Sequence, residues 1–523
     1  MDRPFPSALV ETHTDAPDRL RLSNYTIFVE LDEAKTLLIH GYSGAWDIVT
    51  SDSEAAIRSY RRGPEFKPLI GRAFSNPKND NKSSFSGNSL DGAMVEYLTS
   101  RGYLTDLSVR EEQEHVNALA AGLHRISRFD PPAYVFALTY SCNLRCSYCF
   151  QDALRSRPEH RSRLALMSVE MVDRIFAAMP QVEARHGFSG KDARGRPGRS
   201  ITLFGGEPLL AFHHDLVKYI LERAKSDGSF SCLAVTNGTE LHHYQDLIGP
   251  EKISFLQVTL DGPPAVHDKR RIGHDKLPTF DRIADNIDLA LGLGAQVKVR
   301  INTDQHNVVS LPEITRVFDA RGWFEAPNFS AYVTPVHESA GSGHDACGFG
   351  SWSLTSELAA LAREHPRVGK ISGPDTHWER RVREILRGGL DPLLNMKPSF
   401  CGAHAQTWVF DAFGDIYACW ERAGYLKDRI GRLSSDAELI MDDRVERAWR
   451  GRTVTANPVC GRCPYAFYCG GGCALLAERA NGAVNSNYCD DFSRRFKALA
   501  AAEVVALERG ALMDAVKEIY SPE

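Results

Sequence analysis

The stretch that decides the fold of this chain is Cys142-Asn143-Leu144-Arg145-Cys146-Ser147-Tyr148-Cys149, in which three cysteines stand at Cx3Cx2C spacing. It comes directly after a strand-like run, Tyr134 to Tyr140. Three thiolates this close in sequence can converge on one small metal cluster. Because a [4Fe–4S] cluster has four irons, three cysteines would leave one iron open for chemistry, whereas a fourth would make an electron carrier. Zinc, free buried thiols, or a disulfide beside one unpaired cysteine are the alternatives for this spacing.

The three-cysteine stretch resembles the signature of the radical S-adenosylmethionine (SAM) enzymes. The resemblance implies that Cys142, Cys146 and Cys149 hold a [4Fe–4S] cluster and that the methionine end of SAM binds the open iron. One-electron reduction would then release a 5′-deoxyadenosyl radical, which abstracts hydrogen from a substrate.

The composition is that of an ordinary folded protein, with 43% hydrophobic and 25% charged residues. A length of 523 residues predicts about three domains. A net charge of −5 gives no sign of nucleic-acid binding, no apolar run is long enough to span a membrane, and the N-terminus lacks a secretory signal. We therefore expect a cytoplasmic protein without nucleic-acid or membrane partners, whose twelve cysteines serve mainly as metal ligands.

Strand-like and helical runs alternate from Ala133 to about Thr334, which predicts parallel strands joined by right-handed crossovers. The predicted strands span 134–140, 200–204, 232–236, 254–260, 296–302 and 328–333, and the predicted helices 168–179, 213–224, 241–249, 280–293 and 311–321. Radical SAM enzymes use a six-stranded barrel, so the resemblance implies an α/β fold with a partial (β/α)6 TIM-like barrel. Chemistry in such barrels lies at the carboxyl ends of the strands.

The second strand ends in Phe204-Gly205-Gly206-Glu207-Pro208. Two glycines let the backbone approach a ligand closely, and Glu207 adds a negative charge that suits an ammonium group. Members of the family use this motif to hold the SAM amino group. An ordinary glycine turn is the alternative.

The fourth strand ends in Thr259-Leu260-Asp261-Gly262-Pro263, and His267-Asp268-Lys269-Arg270-Arg271 follows. The segment resembles the family pattern S-L-D-G-P with H-D-x-x-R. The resemblance implies that Thr259 and Asp261 bind the SAM ribose. It also implies that Arg271, or its neighbour Arg270, binds the SAM carboxylate with two parallel hydrogen bonds. A plain Asp-Gly-Pro turn is the alternative.

Two further residues are candidates for the SAM site. Tyr148 lies where the family places an aromatic ring beside the adenine. Asn302 ends the fifth predicted strand, from which it could reach cofactor or substrate.

The C-terminal part carries seven cysteines, of which the middle four follow the pattern Cx2Cx5Cx3C. The set resembles the SPASM extension with two auxiliary [4Fe–4S] clusters, which makes three clusters in all. The resemblance assigns Cys460, Cys463, Cys469 and Cys489 to an outer cluster, and Cys401, Cys419 and Cys473 to an inner one. Cys347 is a candidate for the fourth inner ligand; otherwise that position is open or taken by substrate. One zinc at Cys460, Cys463, Cys469 and Cys473 is the alternative, but it leaves the other three without a role.

The N-terminal part predicts a hairpin over 25–31 and 36–40, helices over 45–50, 53–58 and 90–101, a loop over 76–89, a strand at 103–104, and a linker helix over 111–127. This order looks like the small winged α+β domain that captures leader peptides in ribosomal-peptide maturases. Such a domain can bind a peptide by strand addition to an open sheet edge. A packing extension of the catalytic domain is the alternative.

We therefore divide the chain into five parts. They are a leader-recognition-like domain (1–125), the radical SAM barrel (126–340), a bridging region (341–400), the SPASM domain (401–490) and a C-terminal helix (491–523). The expected function is a radical SAM oxidoreductase that crosslinks a ribosomally made peptide through a C–S, C–C or C–O bond. A precursor peptide with its leader and a reductant such as flavodoxin or ferredoxin are the expected partners.

Two other functions stay open. A sulfatase-maturing enzyme would form formylglycine, but that branch usually has an aspartate base after the second SPASM cysteine. Here Trp420 takes that position, and Glu421 beside it is the candidate base. A non-catalytic iron–sulfur electron carrier is the other alternative, although a carrier has no use for the SAM-binding segments.

Overall fold

The computed structural model describes residues 20–60, 90–188, 199–228, 230–336, 350–374, 376–387 and 395–520. Cys347 and the predicted loop over 76–89 lie outside the described residues. Among the helices that are described, none combines the length and the apolar character needed to cross a membrane.

The N-terminal part consists of two small sheets and three helices. Its elements are β1 (Arg21–Leu22), β2 (Thr26–Glu30), β3 (Lys35–His40), β4 (Trp46–Thr50), α1 (Ser51–Ser59), α2 (Gly92–Ser100), β5 (Leu104–Thr105) and α3 (Val109–Ser127). An antiparallel sheet has the order β2-β3-β4, and β1 pairs with β5. Ser108 and Glu111 form a capping box that starts α3.

The helix predicted over 45–50 is wrong, because the structure has strand β4 there. Trp46 pairs with Ile39 and Ile48 pairs with Leu37, which adds a third strand to the predicted hairpin. Aromatic and β-branched side chains favour this pleated arrangement. Thr50 ends the strand and caps α1 by accepting a hydrogen bond from the Ser53 backbone N–H.

The central part alternates strands and helices as predicted. Its elements are β6 (Ala133–Thr139), β7 (Leu144–Cys146), α4 (Asp152–Ser156), α5 (Val169–His186), β8 (Arg199–Gly205), α6 (His214–Ser226), β9 (Phe230–Thr236), β10 (Ile253–Thr259), α7 (Pro264–Arg270), β11 (Arg271–Gly273), α8 (Phe280–Gly292), β12 (Gln296–Thr303), α9 (Leu311–Ala320) and β13 (Phe329–Pro335). The parallel strands lie in the order β6-β8-β9-β10-β12-β13. The predicted six-stranded partial barrel is confirmed.

One predicted barrel helix, over 241–249, is wrong in its length. The structure has only a 3-10 turn, Leu241–Tyr244. The buried Tyr244 hydroxyl donates to the Leu210 carbonyl at 2.6 Å, which holds the turn against the preceding loop. Gly249 has φ of 144°, a backbone conformation that a right-handed helix cannot contain.

The C-terminal part extends the barrel sheet. Its elements are α10 (Ser351–Glu364), α11 (Thr376–Arg387), β14 (Thr407–Asp411), β15 (Asp415–Tyr417), β16 (Arg429–Leu433), β17 (Leu439–Met441), α12 (Asp443–Arg450), α13 (Pro458–Gly461), α14 (Ala466–Cys469), α15 (Ala474–Asn481) and α16 (Phe492–Tyr520). Strand β14 pairs in parallel with β6, and β15, β16 and β17 follow as antiparallel neighbours. The first barrel strand is therefore shared between the barrel and the cysteine-rich region.

Apolar contacts join the N-terminal sheet to the C-terminal helices. One face of this sheet, with Ile27, Val29, Leu37 and Ile39, shares a buried cluster with side chains of the C-terminal part. These are Trp378, Val382, Ile385, Leu386, Tyr468, Phe492, Phe496, Ala500 and Val504. Burial of this area stabilises the contact between the first and the last parts of the chain.

Candidate active site

A cavity lies at the carboxyl ends of the barrel strands, where the sequence predicts the chemistry. The ends of β8, β9, β10, β12 and β13 all contribute to its wall. The lining includes Cys142, Cys146, Tyr148, Cys149, Phe150, Gln151, Arg155, Phe204, Gly205, Gly206, Glu207, Val235, Thr236, Asn237, Gln257, Thr259, Arg271, Arg300, Asn302, Pro335, Val336, Trp420 and Glu421. The three cysteines of the Cx3Cx2C stretch and nearly all residues predicted to bind SAM therefore line the same cavity.

The three-cysteine loop is held by a short ladder. Strand β7 pairs antiparallel with β11, which sets Cys146 opposite Arg271. Burial raises the pKa of Cys142 to about 12. Two N–H groups point at its sulfur, from the Leu144 backbone at 3.4 Å and the Asn237 amide at 3.8 Å. Such hydrogen bonds to sulfur are typical of iron–sulfur ligands, and metal binding replaces the thiol proton.

Arg155 is a functional candidate that the sequence analysis missed. One guanidinium nitrogen donates to the Leu144 carbonyl at 2.7 Å, while Nε and Nη2 are buried without a hydrogen-bond partner among the described residues. Burial pulls its pKa down, but the thiolates of Cys149, Cys142 and Cys146 raise it overall. A cation held against three thiols favours their deprotonated, metal-binding forms. The only sequence signal was the basic character of the segment after the loop.

Three thiolates, N–H donors to sulfur and a neighbouring buried cation are a donor set that fits a [4Fe–4S] cluster. Within the described residues, no three His, Cys, Asp or Glu side chains lie close enough to hold a single metal ion. A [4Fe–4S] cluster does not need several ligands on one metal ion, because each cysteine binds a different iron of the cluster.

The glycine pair at the end of β8 packs on the chain's own backbone. A Cβ on Gly205 would overlap the Thr139 carbonyl oxygen, and one on Gly206 would overlap that of Ser141. The Gly206 N–H donates to Thr139 and the Glu207 N–H to Ser141, at 2.8 and 2.9 Å. The glycines are thus required for a close approach to the end of β6, which positions Glu207 beside the cysteine loop.

Glu207 is buried and tied to the end of the third barrel strand. Its carboxylate accepts hydrogen bonds from the Thr236 hydroxyl at 2.6 Å, the Asn237 N–H at 2.5 Å and the Leu209 N–H at 2.9 Å. Burial nevertheless raises its pKa to about 7, against the lowering effect of these donors. The residue lines the cavity as a carboxylate that a bound cation would help to ionise.

Tyr148 is the centre of a hydrogen-bonded group on the opposite wall. Its hydroxyl donates to the Asp261 carboxylate, and it accepts from Arg271 at 2.8 Å and from the Asn302 amide at 3.1 Å. Asp261 is fully buried and lies behind the cavity wall, where it also accepts from the Asn302 backbone N–H at 3.0 Å. Asp261 therefore orients Tyr148 and Asn302, while Thr259 and Asn302 themselves face the cavity.

The structure separates the two adjacent arginines. Arg270 donates to Asp304 at 2.7 Å and to the Asn302 carbonyl at 3.2 Å, away from the cavity lining. Arg271 lines the cavity, and its Nε is buried without a hydrogen-bond partner among the described residues. Such an unsatisfied donor is costly unless a ligand acceptor reaches it, which fits a carboxylate of the cofactor.

The seven C-terminal cysteines fall into two groups in space. Burial raises the pKa of Cys419 well above its usual value, and Glu421, Cys401 and Cys473 add to this shift. Burial raises the pKa of Cys460 to about 12, with contributions from Cys469 and Cys489. The same two thiols surround Cys463. The two neighbourhoods are Cys401, Cys419 and Cys473 on one side, and Cys460, Cys463, Cys469 and Cys489 on the other.

A second cavity, of ≈ 650 Å³, lies beside these cysteines. Its lining includes Lys298, Tyr332, Cys469, Cys473 and Cys489. Pro335 and Glu421 line both cavities, so the two spaces are adjacent at these residues. Trp420 stacks on Phe204 with ring centroids 5.7 Å apart and lines the first cavity on the C-terminal side.

Known proteins resemble this chain in sequence. The family model of the radical SAM superfamily matches residues 136–307. The cysteine-type anaerobic sulfatase-maturating enzyme of Clostridium novyi (strain NT) is 25% identical over 370 residues, which cover 68% of this chain and 92% of that protein. The central part of the chain therefore matches the radical SAM superfamily, and most of its length is related to the anaerobic sulfatase-maturating enzymes. That superfamily implies SAM and one [4Fe–4S] cluster as cofactors.

Two solved structures were superposed on the chain, and the first shows the same fold. Native anSMEcpe with bound AdoMet and Cp18Cys peptide superposes with a TM-score of 0.52 at 15% identity, covering 73% of this chain and 100% of that chain. Streptococcus suis SuiB, solved with its bound precursor peptide SuiA, aligns with 90% of this chain and 99% of its own at a TM-score of 0.49 and 13% identity.

Proposed function

We propose that this enzyme abstracts hydrogen from a ribosomally made peptide and leaves a C–S, C–C or C–O crosslink in it. Cys142, Cys146 and Cys149 hold the cluster that binds SAM. Glu207 takes the SAM ammonium group and Arg271 its carboxylate, while Tyr148, Thr259 and Asn302 line the nucleoside side. Gly205 and Gly206 shape the wall between them.

The meeting of the two cavities at Pro335 and Glu421 carries this proposal. A substrate segment bound in the second cavity would lie next to the SAM site at these residues. A radical at carbon must be kept from solvent, and a bound substrate that covers both cavities would meet that need.

SAM, when bound and reduced by one electron, supplies the group that removes one hydrogen atom from a substrate carbon. The chain's own residues position that carbon and exclude water. Bond formation to a second substrate atom then releases one proton and one electron. Glu421, at the junction of the cavities, is the candidate acceptor for the proton.

The released electron requires an acceptor, and two auxiliary [4Fe–4S] clusters held by the seven C-terminal cysteines would take it. The separation of these cysteines into groups of three and four supports this assignment. The group of three cysteines leaves the fourth iron of its cluster without a thiolate. That iron could bind Cys347 or the substrate, or it could stay open.

The N-terminal sheet supports capture of a leader peptide. Strand β4 has a neighbouring strand on one side only within the described residues. On its other edge the Trp46 carbonyl accepts a hydrogen bond from Arg101 at 2.8 Å, and the edge beyond Trp46 is open to an added strand. Helix α2 lies alongside, because Tyr97 and Arg101 both bond to Asp47 at 2.6 and 2.8 Å. Ile48, Met94 and Tyr97 are apolar and exposed by 40%, 37% and 47%. An open strand edge flanked by exposed apolar side chains suits strand addition by a peptide.

The relatives favour a second candidate function, because they are named as sulfatase-maturating enzymes. That reaction would oxidise a Cys or Ser side chain to formylglycine. Trp420, in the position where that branch has its aspartate, cannot act as a base. Glu421 would have to serve in its place, and it stands at the same junction.

Mass spectrometry separates the two candidates. The neighbouring open reading frames would be searched for a short peptide, and each candidate would be co-expressed with the enzyme under anaerobic conditions. Loss of two hydrogen atoms with a new bond between two residues supports the crosslink, whereas formylglycine supports the second candidate. An unchanged peptide beside active SAM cleavage would overturn the peptide crosslinking proposal. The Cys142→Ala variant is the inactive control, and Cys232→Ala is its matched control, because Cys232 is buried on β9 away from both cysteine regions.

The leader-binding role can be tested by titrating the same peptide into variants of the exposed apolar residues on the two sides of the β4 edge. Ile48→Asp with Met94→Asp should weaken binding about tenfold, since it removes apolar contact along the open edge. Ile126→Asp changes a residue that is 60% exposed on α3 and should have no effect. Equal binding by all three proteins would contradict the role.

A further inference from the structure

Strand β12 presents opposite chemistry on its two faces. Val297, Val299 and Ile301 are at most 1% exposed and pack in the core between the sheet and the helices. The alternate residues Lys298 and Arg300 therefore point to the inner face of the barrel. Closed barrels fill this space with branched apolar side chains, so two cations there indicate a face made for a ligand.

The neighbouring strands continue this face with polar side chains. Arg300 pairs in register with Thr259 on β10 and with Tyr332 on β13. The Tyr332 hydroxyl donates to the Gln257 side chain at 2.8 Å, and Lys298 Nζ lies 4.8 Å from the centre of the Tyr332 ring. Arg300 lines the first cavity and Lys298 the second, so the pair lies where the two cavities are adjacent.

Neither cation has an acidic partner among the described residues. The Nε of Arg300 is buried with no hydrogen bond there. Glu207 is bonded to Thr236, Asn237 and Leu209, and Asp490 accepts from Ser351 at 2.5 Å. Glu421 lines both cavities and brings one negative charge to this side. Two cations beside one carboxylate leave an unbalanced positive charge, which an anionic ligand would neutralise.

We propose that Lys298 and Arg300 bind a carboxylate of the peptide substrate, either an acidic side chain or the C-terminus, next to the SAM site. This inference rests on the proposed function. The guanidinium of Arg300 offers a fork for a carboxylate, while Lys298, held over Tyr332, adds a point charge. The pair thereby selects a peptide with a negative charge near the carbon that loses hydrogen.

The SAM carboxylate is the other possible source of the anion. Arg271 lies beside the cysteine loop, where the SAM carboxylate is expected, whereas Lys298 lines the second cavity. This separation favours a carboxylate of the peptide over that of SAM as the ligand of Lys298 and Arg300. Binding measurements distinguish the sources, because each ligand can be titrated alone.

The test uses the anaerobically reconstituted full chain and three probes: acetyl-Gly-Glu-Gly-amide, acetyl-Gly-Gln-Gly-amide, and acetyl-triglycine with a free C-terminus. Dissociation constants come from isothermal titration calorimetry of each probe into the protein with oxidised clusters and bound SAM, a state in which SAM is not cleaved. The glutamyl peptide or the free-acid peptide should bind about tenfold more tightly than the glutaminyl one. The preferred probe tells which carboxylate is recognised.

Arg300→Gln and Lys298→Gln should abolish this preference, while Arg300→Lys should keep part of it. The matched control is Arg282→Gln, an exposed cation on the outer helix α8. SAM affinity, measured separately by equilibrium dialysis, should change by less than about twofold in all variants. Equal binding of the three probes to the unaltered protein overturns the inference, as does a tenfold loss of SAM affinity in Arg300→Gln. If the unaltered protein fails to bind SAM, the proposed function itself fails.

Discussion

The Tyr25 hydroxyl donates a hydrogen bond to the Gly461 carbonyl at 2.5 Å, which joins the N-terminal sheet to the loop between Cys460 and Cys463. Gln113 of α3 donates to the same carbonyl at 3.0 Å. The domain with the open strand edge is thus bonded directly to the chain segment that carries two proposed cluster ligands. Removing residues 1–125 would expose this loop and the shared apolar cluster, so point variants are the sharper test of leader binding.

We expect Tyr25→Phe to loosen the outer cluster loop. It removes one of two donors to Gly461, which should lower the free energy of unfolding by about 1 kcal/mol and speed the loss of iron to a chelator. Urea denaturation and the rate of iron extraction measure the two effects. Tyr97→Phe is the control, since its hydroxyl bonds to Asp47 on the exposed side of the same domain. Identical extraction rates in both variants would show that the contact does not support the cluster.

Changing Cys142, Cys146 and Cys149 together to Ala should leave about two-thirds of the reconstituted iron, because two of three equal clusters would remain. Iron and sulfide analysis of the anaerobic protein measures this fraction. Cys232→Ala should retain all of it. Complete loss of iron, or no loss, would refute the assignment of these three residues to a separate cluster.

Glu207 should make the affinity for SAM fall as the pH decreases below about 7. Its carboxylate is protonated below about pH 7 and ionised above it, so affinity for the SAM ammonium should rise as the pH increases through 7. Above an α-amino pKa of about 7.7–8.0 the ammonium is lost and affinity falls again. Glu207→Gln should bind SAM more weakly and lack the fall in affinity below about pH 7. Equilibrium dialysis from pH 6 to 9 tests this, and an unchanged profile would remove Glu207 from the SAM site.

His186 should contribute to loss of stability in acid. Its Nδ1–H donates to the Arg128 carbonyl at 2.6 Å and its Nε2 accepts from Trp408 at 2.8 Å, which only the neutral ring can do. Burial lowers its pKa to about 4. The unfolded ring takes a proton below about pH 6.5 and the folded one does not, so stability falls between pH 6.5 and 4.

Replacement of His186 by Asn should lower stability at pH 7.5 but reduce its further loss at pH 5. Urea denaturation at the two pH values gives the difference. His242→Gln, at an exposed position, should leave the pH dependence unchanged. If the His186 variant loses as much stability at pH 5 as the unaltered protein, the loss arises from other groups, such as the buried His40 and His404.

Local sequence determined much of this protein. The alternation of short apolar runs with helical periodicity predicted all six barrel strands, because strand and helix periods are properties of neighbouring residues. Cysteine spacing likewise marked the loop after β6 and the C-terminal cysteine region. The error at β4 arose because a segment of six residues takes its conformation from its partner strand rather than from its own pattern.

Only the tertiary structure decided which residues share a space. Arg155 lines the cavity beside the cysteine loop, and Arg271 rather than Arg270 lines it too. Asp261 is buried outside the lining, and Arg300 lies where the two cavities are adjacent. Two adjacent arginines look alike in sequence, but their directions depend on the β7–β11 ladder, which pairs residues 125 positions apart (271 minus 146). Pairing across such distances is set by burial and register, which no local pattern encodes.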